Sequence, residues 1–406
     1  MTRSERTVDV LIVGAGPAGL TAASRLAGVG AVEVLEREAQ TGGIPRHCHL
    51  GGFGLRTGPQ YARRLTGEAA RAGARLRTSV TVTDWAGPRT LDTTGPHGLE
   101  RITARAVVLA TGARERPRSA RLVPGTRPAG VLTTGELQQT VHLHGRRPGT
   151  RAVVVGAEPV AHSAVRTLLG AGVEVAAMVT DLPHHQAPPT DAADTRLRRG
   201  VPLLTRTTVA ELLGRGRLSG VAIRHADGRE AVIACDTVVF TGDFVPENEL
   251  PRRGGLLLDP GTRGPTVDPA FRTTGPGVFA AGNLLHGAEP ALSAAREGAR
   301  AAAAVLRHLD GAPWPAEQIP VRAEDPLLWV APQRISPGSP HHFLLRTAQF
   351  LTRAHLVVRQ DGRILHHQRL PRTVVPNRSL TISGNWVDRA DPRGGTVIFS
   401  TEQRST

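Results

Sequence analysis

Residues 8–13, Val-Asp-Val-Leu-Ile-Val, run straight into Gly14-Ala15-Gly16-Pro17-Ala18-Gly19, and this junction constrains the fold more than any other stretch of the chain. The first segment is apolar and rich in valine and isoleucine, which suits a central strand buried on both faces. Leu20, Ala23, Leu26 and Ala27 then recur at helical spacing, Gly28 and Gly30 stop the helix, and residues 31–35 read as a second strand ending at Glu36. The result is a βαβ unit. In such a unit Gly14 makes the tight turn, Gly16 lets a pyrophosphate approach the backbone, and Gly19 lets helix and strand pack closely. The helix N-terminus, at Pro17 and Ala18, then faces the phosphates. Glu36, about 20 residues beyond the first glycine, is placed to accept hydrogen bonds from a ribose hydroxyl. A glycine turn alone is a weak signal, but the complete unit at these distances reads as a dinucleotide site.

The 406 residues suffice for two to four domains. Only two cysteines, Cys48 and Cys235, are present, which excludes a four-cysteine zinc site, an all-cysteine iron–sulfur cluster and a CxxC redox pair within this chain. The net charge is +15, and because no lysine occurs, all 50 basic residues are arginine. They are spread along the chain and aromatics are only 3%, the opposite of a clustered, aromatic-interleaved nucleic-acid arm. No nucleic-acid partner is expected. No apolar run approaches the ~18–20 residues of a membrane span, and the run at 8–13 is too short for a signal peptide. A cytoplasmic protein without membrane contact is therefore expected. The close histidine pairs, His142/His144, His184/His185, His341/His342 and His366/His367, lack carboxylate or cysteine company, so no metal site is assigned.

Further along, residues 106–109 read as a strand running into Ala110-Thr111-Gly112, residues 237–240 run likewise into Thr241-Gly242-Asp243, and Gly277-Val278-Phe279-Ala280-Ala281-Gly282-Asn283 closes the set. These segments resemble the two-dinucleotide-domain flavoproteins of the glutathione-reductase-like class. Gly42-Gly43-Ile44-Pro45-Arg46-His47-Cys48-His49, residues 113–121 and Thr133-Thr134-Gly135 are similar, more narrowly, to the flavin subunits of the opine oxidase, dye-linked proline dehydrogenase and hydrogen cyanide synthase families. The resemblance covers roughly residues 7–310. It implies an α/β fold with two Rossmann-like domains of glutathione-reductase type, FAD as cofactor, and oxidation of a C–N bond in an amine, imino or amino acid. It also implies that Arg37, Gly43, Val82, Ala110, Thr111, Gly112, Gly282, Asn283 and Pro290 join Gly14, Gly16, Pro17, Ala18, Gly19 and Glu36 in holding FAD. Asn283 stands where the class usually carries an aspartate, and an amide can still hydrogen-bond a ribityl hydroxyl. No cysteine follows Cys235, so the cysteine-rich C-terminal module of some relatives is not expected in these residues. Pro290 suits a first helical position, opening a helix to about Leu309 with Gly311 as its stop. In the resembling fold that N-terminus points at the flavin's pyrimidine edge, where its partial positive charge favours the reduced anion.

Residues 151–179 repeat the βαβ pattern, with a strand at 152–155, a helix through Leu169 and a strand at 173–179. Here, however, Glu158 occupies the middle glycine position, where both charge and bulk oppose a pyrophosphate. NAD(P) use is therefore doubtful. Within the loop after Gly42-Gly43, Arg46 could clamp a substrate carboxylate and His47 or His49 could take an ammonium proton; Cys48 completes the candidate catalytic set. Cys235 reads as a buried core thiol. The expected division is an FAD domain over 1–145 and 255–312, a degenerate NAD(P)-type domain over 146–254, a linker over 313–326 and a small β-rich module over 327–406. A second dehydrogenase or oxidase subunit is a possible partner beside a small-molecule substrate. Two other functions stay open, an NAD(P)H-dependent reductase and a non-catalytic electron-transfer or assembly subunit.

Overall fold

Strand β1 (Ser4–Val13) begins four residues before its apolar run, because charge as well as hydrophobicity holds it in place. Arg6 reaches Glu33 at 2.8 Å and Glu100 at 3.4 Å, and Arg77 reaches the same two carboxylates at 3.0 and 2.5 Å. The partners lie far apart in sequence, so the strand's first half is not visible as a strand from its own residues. Helix α1 (Pro17–Arg25), β2 (Val32–Leu35), α2 (Gly58–Arg71), β3 (Arg75–Arg77), β4 (Thr81–Gly87), β5 (Thr90–Gly95) and β6 (Gly98–Leu109) follow. They build a sheet of order β3-β2-β1-β6-β5-β4, with β3, β2, β1 and β6 mutually parallel and β5 and β4 added antiparallel. This structure, a computed structural model, describes residues 3–26, 28–49, 53–287, 289–338 and 342–403; Ala27 of the expected helical stripe lies outside them.

The chain forms two compact units. One comprises Met1–Pro45, Gln60–Arg114 and Val245–Thr406, the other Arg46–Pro59 and Glu115–Phe244. The second unit therefore holds residues 46–59 and 115–145, which the expected boundaries place in the first. The reason for the latter is strand pairing. Strand β7 (Val131–Thr133) lies parallel to the strand at Thr237–Phe240, with Val238 opposite Val131 and Phe240 opposite Thr133. After α3 (Thr134–His142) come β8 (Arg151–Val155), α4 (Pro159–Gly170), β9 (Glu174–Val179), β10 (Leu203–Leu204), β11 (Thr207–Leu213), β12 (Gly220–His225), β13 (Glu230–Ala234) and β14 (Thr237–Phe240). The parallel sheet runs β10-β9-β8-β14-β7, and β11-β12-β13 form a separate antiparallel sheet.

The chain then returns to the first unit through β15 (Val278–Ala280), which pairs with β6, a short helix α5 (Asn283–His286) and the long helix α6 (Ala291–Leu309). Pro290 sits one place before the expected position. It is the N-cap, with ψ 148°, rather than the first helical residue. Helices α1 and α6 touch backbone to backbone, since a Cβ on Gly298 would stand 2.1 Å from the Ala18 carbonyl oxygen. The expected linker is not a linker throughout. Residues 319–323 form β16 (Ile319–Ala323), in which Ile319 and Val321 are buried. Its alternation of buried and exposed residues is that of a half-covered strand. Strands β17 (Leu327–Ala331), β18 (Arg334–Ile335), β19 (His342–Thr347), β20 (Ala354–Gln360), β21 (Arg363–Arg369), β22 (Leu380–Ser383) and β23 (Val397–Gln403) complete the chain. They give a five-stranded sheet β18-β16-β23-β20-β21 and an antiparallel sheet β17-β19-β22. Trp386, Phe343 and Phe399 fill the core of this region, with ring centroids 5.0–5.6 Å apart. Among the described residues, no helix is long and apolar enough to cross a membrane.

Candidate functional site

Three strand ends converge on the first glycine loop. The Gly14 amide donates to the Leu35 carbonyl at 2.8 Å, and the Ala110 amide donates to the Val13 carbonyl at 2.8 Å, so β1, β2 and β6 all finish there. Gly14 has φ +104°, and a Cβ on it would stand 2.4 Å from the Ala110 oxygen. A Cβ on Gly19 would fall 2.0 Å from the Gly14 oxygen. Both positions admit only glycine. Gly16 differs: it is the N-cap of α1, and nothing lies within 4 Å of a Cβ built there. The helix start carries no side-chain cap and no acidic residue in its first turn. Its amides, together with the helix dipole, therefore face open space, which is the arrangement that receives a phosphate.

The Glu36 carboxylate closes the other side of this cradle. Oε2 accepts from the Ala15 amide and Oε1 from the Glu38 amide, both at 3.0 Å. Each oxygen keeps a lone pair for a ribose hydroxyl. The Gly42 amide donates to the Ala15 carbonyl at 2.7 Å, and Gly43, at φ +61°, would bring a Cβ to 3.0 Å from the Gly16 Cα. Arg37 is exposed and 3.8 Å from both Glu38 and Glu247. Val82 lies on β4, half-buried against the core of this unit. Beyond Ala110, the Thr111 hydroxyl donates to the Glu247 carbonyl at 3.1 Å, and the Gly112 carbonyl accepts from the Glu247 amide at 2.9 Å. A gap that only glycine leaves open, an uncapped helix start and a carboxylate with free lone pairs together fit the ADP half of FAD.

The loop between β15 and α6 is held by polar contacts that the sequence did not disclose. The Gly282 amide donates to Glu297 Oε2 at 2.9 Å, and Glu297 Oε1 lies 2.9 Å from His286 Nε2. Burial pulls the His286 pKa down, but the Glu297 and Glu289 charges more than offset it, and the net direction is upward. His286 stacks on Trp329 at 5.4 Å. Asn283 spends its amide on the same loop: Nδ2 donates to the Glu289 carbonyl at 3.2 Å and Oδ1 accepts from the Glu289 amide at 3.1 Å. The Glu289 carboxylate is in turn bound by Arg346 at 2.7 Å and by the Ser379 hydroxyl. The one signal for this network in the sequence is the pair of acids, Glu289 and Glu297, bracketing the start of an otherwise alanine-rich helix. Glu297 finds its partner, His286, within the loop, whereas Arg346, which binds Glu289, and Trp329, on which His286 stacks, come from the C-terminal strands.

The second glycine loop is filled from within. Glu158 is the N-cap of α4, and its side chain turns back so that Oε2 accepts from the Ala157 amide at 3.0 Å. Cβ atoms built on Gly156 and Gly242 would fall 2.7 and 3.1 Å from this carboxyl group. Burial pushes the Glu158 pKa up, against the pull of its hydrogen bonds and of Arg121. The space that a pyrophosphate would need holds a buried carboxyl group.

The candidate catalytic residues at 46–49 belong to this second unit. Arg46 ends a short 3-10 turn at Ile44–Arg46 and is half-buried. The Gln138 amide of α3 donates to Cys48 Sγ at 3.8 Å and to Ser163 Oγ at 3.3 Å. His49 stacks on His142, with ring centroids 4.0 Å apart and planes 8° from parallel. His47 is buried, and burial, with Arg46 and the neighbouring histidines, lowers its pKa to about 4. A histidine so shifted is a weak base, unlike the ordinary imidazole expected at this position. Cys235 is buried, with its thiol pushed up to about 11 by burial and by Asp236.

The chain is similar to several known proteins. The chain is 28% identical over 337 residues to an opine oxidase subunit of Agrobacterium tumefaciens (strain Ach5), covering 74% of this chain and 66% of that one. It is 26% identical over 347 residues to the alpha subunit of sarcosine oxidase from Rhizobium meliloti (strain 1021), covering 81% and 33%. It thus spans about two thirds of the first relative and one third of the second. The crystal structure of thioredoxin reductase from T. acidophilum superposes with a TM-score of 0.64 at 24% identity, over 75% of this chain and 99% of that one, and so shares the fold. The family model described as pyridine nucleotide-disulphide oxidoreductase matches residues 8–298, and with two glycine loops, one open and one closed, this chain belongs to that family.

Proposed function

We propose that the chain is the flavin-bearing part of an oxidoreductase that removes two electrons and two protons from a C–N bond of an amine, imino or amino acid, leaving an imine. The observation that carries this reading is the contrast between the two loops. The first is open at Gly16 with Glu36 beside it, and the second is closed by Glu158. A flavoprotein whose nicotinamide loop is plugged needs another electron donor. Without a CxxC pair it does not exchange electrons with a disulfide in the manner of a reductase. The two relatives reported above belong to an opine oxidase and a sarcosine oxidase, whose substrates carry C–N bonds.

FAD, when bound, supplies the two-electron acceptor. The chain's own residues hold it. Gly14, Gly16, Pro17, Ala18 and Gly19 receive the pyrophosphate, Glu36 takes the ribose, and Arg37, Gly43 and Val82 line the ADP half. Ala110, Thr111, Gly112, Gly282, Asn283 and Pro290 line the remainder. The low basicity of His47 argues against it as the proton acceptor. A second reading, supported by both relatives being named as subunits, is that a partner protein performs the substrate chemistry and this chain passes the electrons on.

The test is anaerobic absorbance at the flavin bands with NADH, NADPH and a panel of amines and amino acids added in turn. Bleaching by an amine but not by nicotinamide is expected. Bleaching only after a partner protein is added selects the second reading, and bleaching by NADH alone overturns both.

A further inference from the structure

We propose that the ion pair between Arg346 of β19 and Glu289 tunes the reduction potential of a flavin held at the N-terminus of α6, with Arg346 as a positioning residue supplied by the C-terminal strands. This rests on the reading that the first unit binds FAD. Glu289 immediately precedes Pro290, the N-cap of α6, and the first turn of that helix contains no acid. A bare carboxylate there would cancel the positive end of the helix. Arg346 Nη2 instead lies 2.7 Å from Glu289 Oε1, with side-chain exposures of only 7% and 9%. The pair is fixed on every side. Ser379 Oγ binds Glu289 and lies 3.1 Å from Arg346 Nη2, the Arg346 guanidinium lies 5.1 Å from the Trp329 ring centroid, and Asn283 grips both backbone groups of Glu289. The other charged groups of the loop, Glu297 and His286, are paired with each other and stack through His286 on that same Trp329.

A buried ion pair contributes little net stability, because desolvation offsets the attraction. Its distinctive consequence is the field it leaves behind. Paired, Arg346 and Glu289 are neutral in sum and the α6 dipole acts unopposed. Unpaired, either one places a full charge beside the helix start. Removing the cation therefore makes the flavin harder to reduce, and removing the anion makes it easier.

The experiment uses the full chain loaded with FAD and compares E289Q, R346Q, the E289Q/R346Q double variant and R346K. The readouts are the flavin midpoint potential and the dissociation constant for sulfite, which adds to an electron-poor flavin. E289Q should raise the potential and tighten sulfite binding roughly fivefold or more, and R346Q should do the reverse. The double variant should return close to wild type, and R346K should leave both readouts unchanged. A purely structural role moves both single variants in the same direction. Shifts of the same sign, or none in a flavin-loaded protein, overturn the proposal. If R346Q does not fold, E289Q and the double variant decide, and an E289Q without tighter sulfite binding is refutation enough. Failure of the wild-type chain to bind FAD refutes the underlying reading, and it does so before any variant is compared.

Discussion

The Glu36 carboxylate accepts a hydrogen bond from the Ala15 amide at 3.0 Å, and 122 residues beyond Glu36 the Glu158 carboxyl group does the same to the Ala157 amide at 3.0 Å. Ala15 and Ala157 are the second residues of their glycine loops. In the first loop the acid arrives from the end of the neighbouring strand, so the loop is buttressed from outside and Gly16 stays open. In the second it comes from the loop's third position, so the same bond is made from inside the space a ligand would use. One contact with two origins separates a binding loop from a closed one.

The open loop gives two glycine variants with different outcomes. Gly16→Val adds a side chain where nothing lies within 4 Å of Cβ and φ is −82°, so the chain should fold with an ordinary melting temperature yet purify without flavin. Gly19→Ala drives a Cβ into the Gly14 carbonyl at 2.0 Å and should destabilise the protein by roughly 1–3 kcal/mol. Flavin absorbance and thermal melting of the two proteins, read together, test the assignment. A Gly16→Val protein that retains flavin would overturn it.

The closed loop makes a stability prediction. Because the folded Glu158 pKa is raised, the native state holds a proton that the unfolded state releases above its ordinary carboxyl pKa, and stability falls as pH rises from there. Glu158→Gln keeps the shape and removes the titration. Its melting temperature should exceed wild type by roughly 2–4 °C at pH 8, and the gap should vanish near pH 4. A gap independent of pH would show that charge is not the cause.

How much of this was legible in the sequence depends on where each partner lies. The βαβ unit at 8–36 was readable because turn, helix and strand are contiguous, and β14 was read to the residue. The first half of β1 was not, since Arg6 is held by Glu33 and Glu100, and neither announces itself locally. Strand β16 was hidden by Pro320, which removes a donor and resembles linker chemistry, although its neighbours Ile319 and Val321 are buried. Glu158 was legible as a departure, but whether it pointed outward or inward is a rotamer question that only the fold answers. The Glu289–Arg346 pair, 57 residues apart, left no local trace.

Two buried histidines of the second unit set its acid sensitivity. His47 and His162, the latter 2.7 Å from Thr195 Oγ1, both have pKa values lowered to about 4, chiefly by burial. The unfolded chain takes up these protons near pH 6.5 and the folded chain only near 4, so stability is full above about pH 6.5 and is lost as pH falls through that window. By pH 4 each histidine has cost the folded state up to about 3 kcal/mol relative to pH 7. Urea denaturation of wild type, His47→Gln and His162→Gln between pH 7 and pH 4 should show a shallower decline in each variant, and parallel curves would refute the assignment.

The two cysteines differ in what a thiol reagent can reach. Cys235 is 5% exposed and its thiol is pushed up to about 11, so at pH 8 it is both shielded and protonated. Cys48 is only half-buried, so a thiol reagent can reach it. Titration with an aromatic disulfide reagent at pH 8 should therefore count one thiol in the native protein and two in denaturant. Cys48→Ser should count none until unfolded, and Cys235→Ser should leave the native count at one. If the native thiol proves to be Cys235, the packing of β14's approach at residues 235–236 is wrong, and with it the register that joins Thr237 to Ala152 in the second sheet.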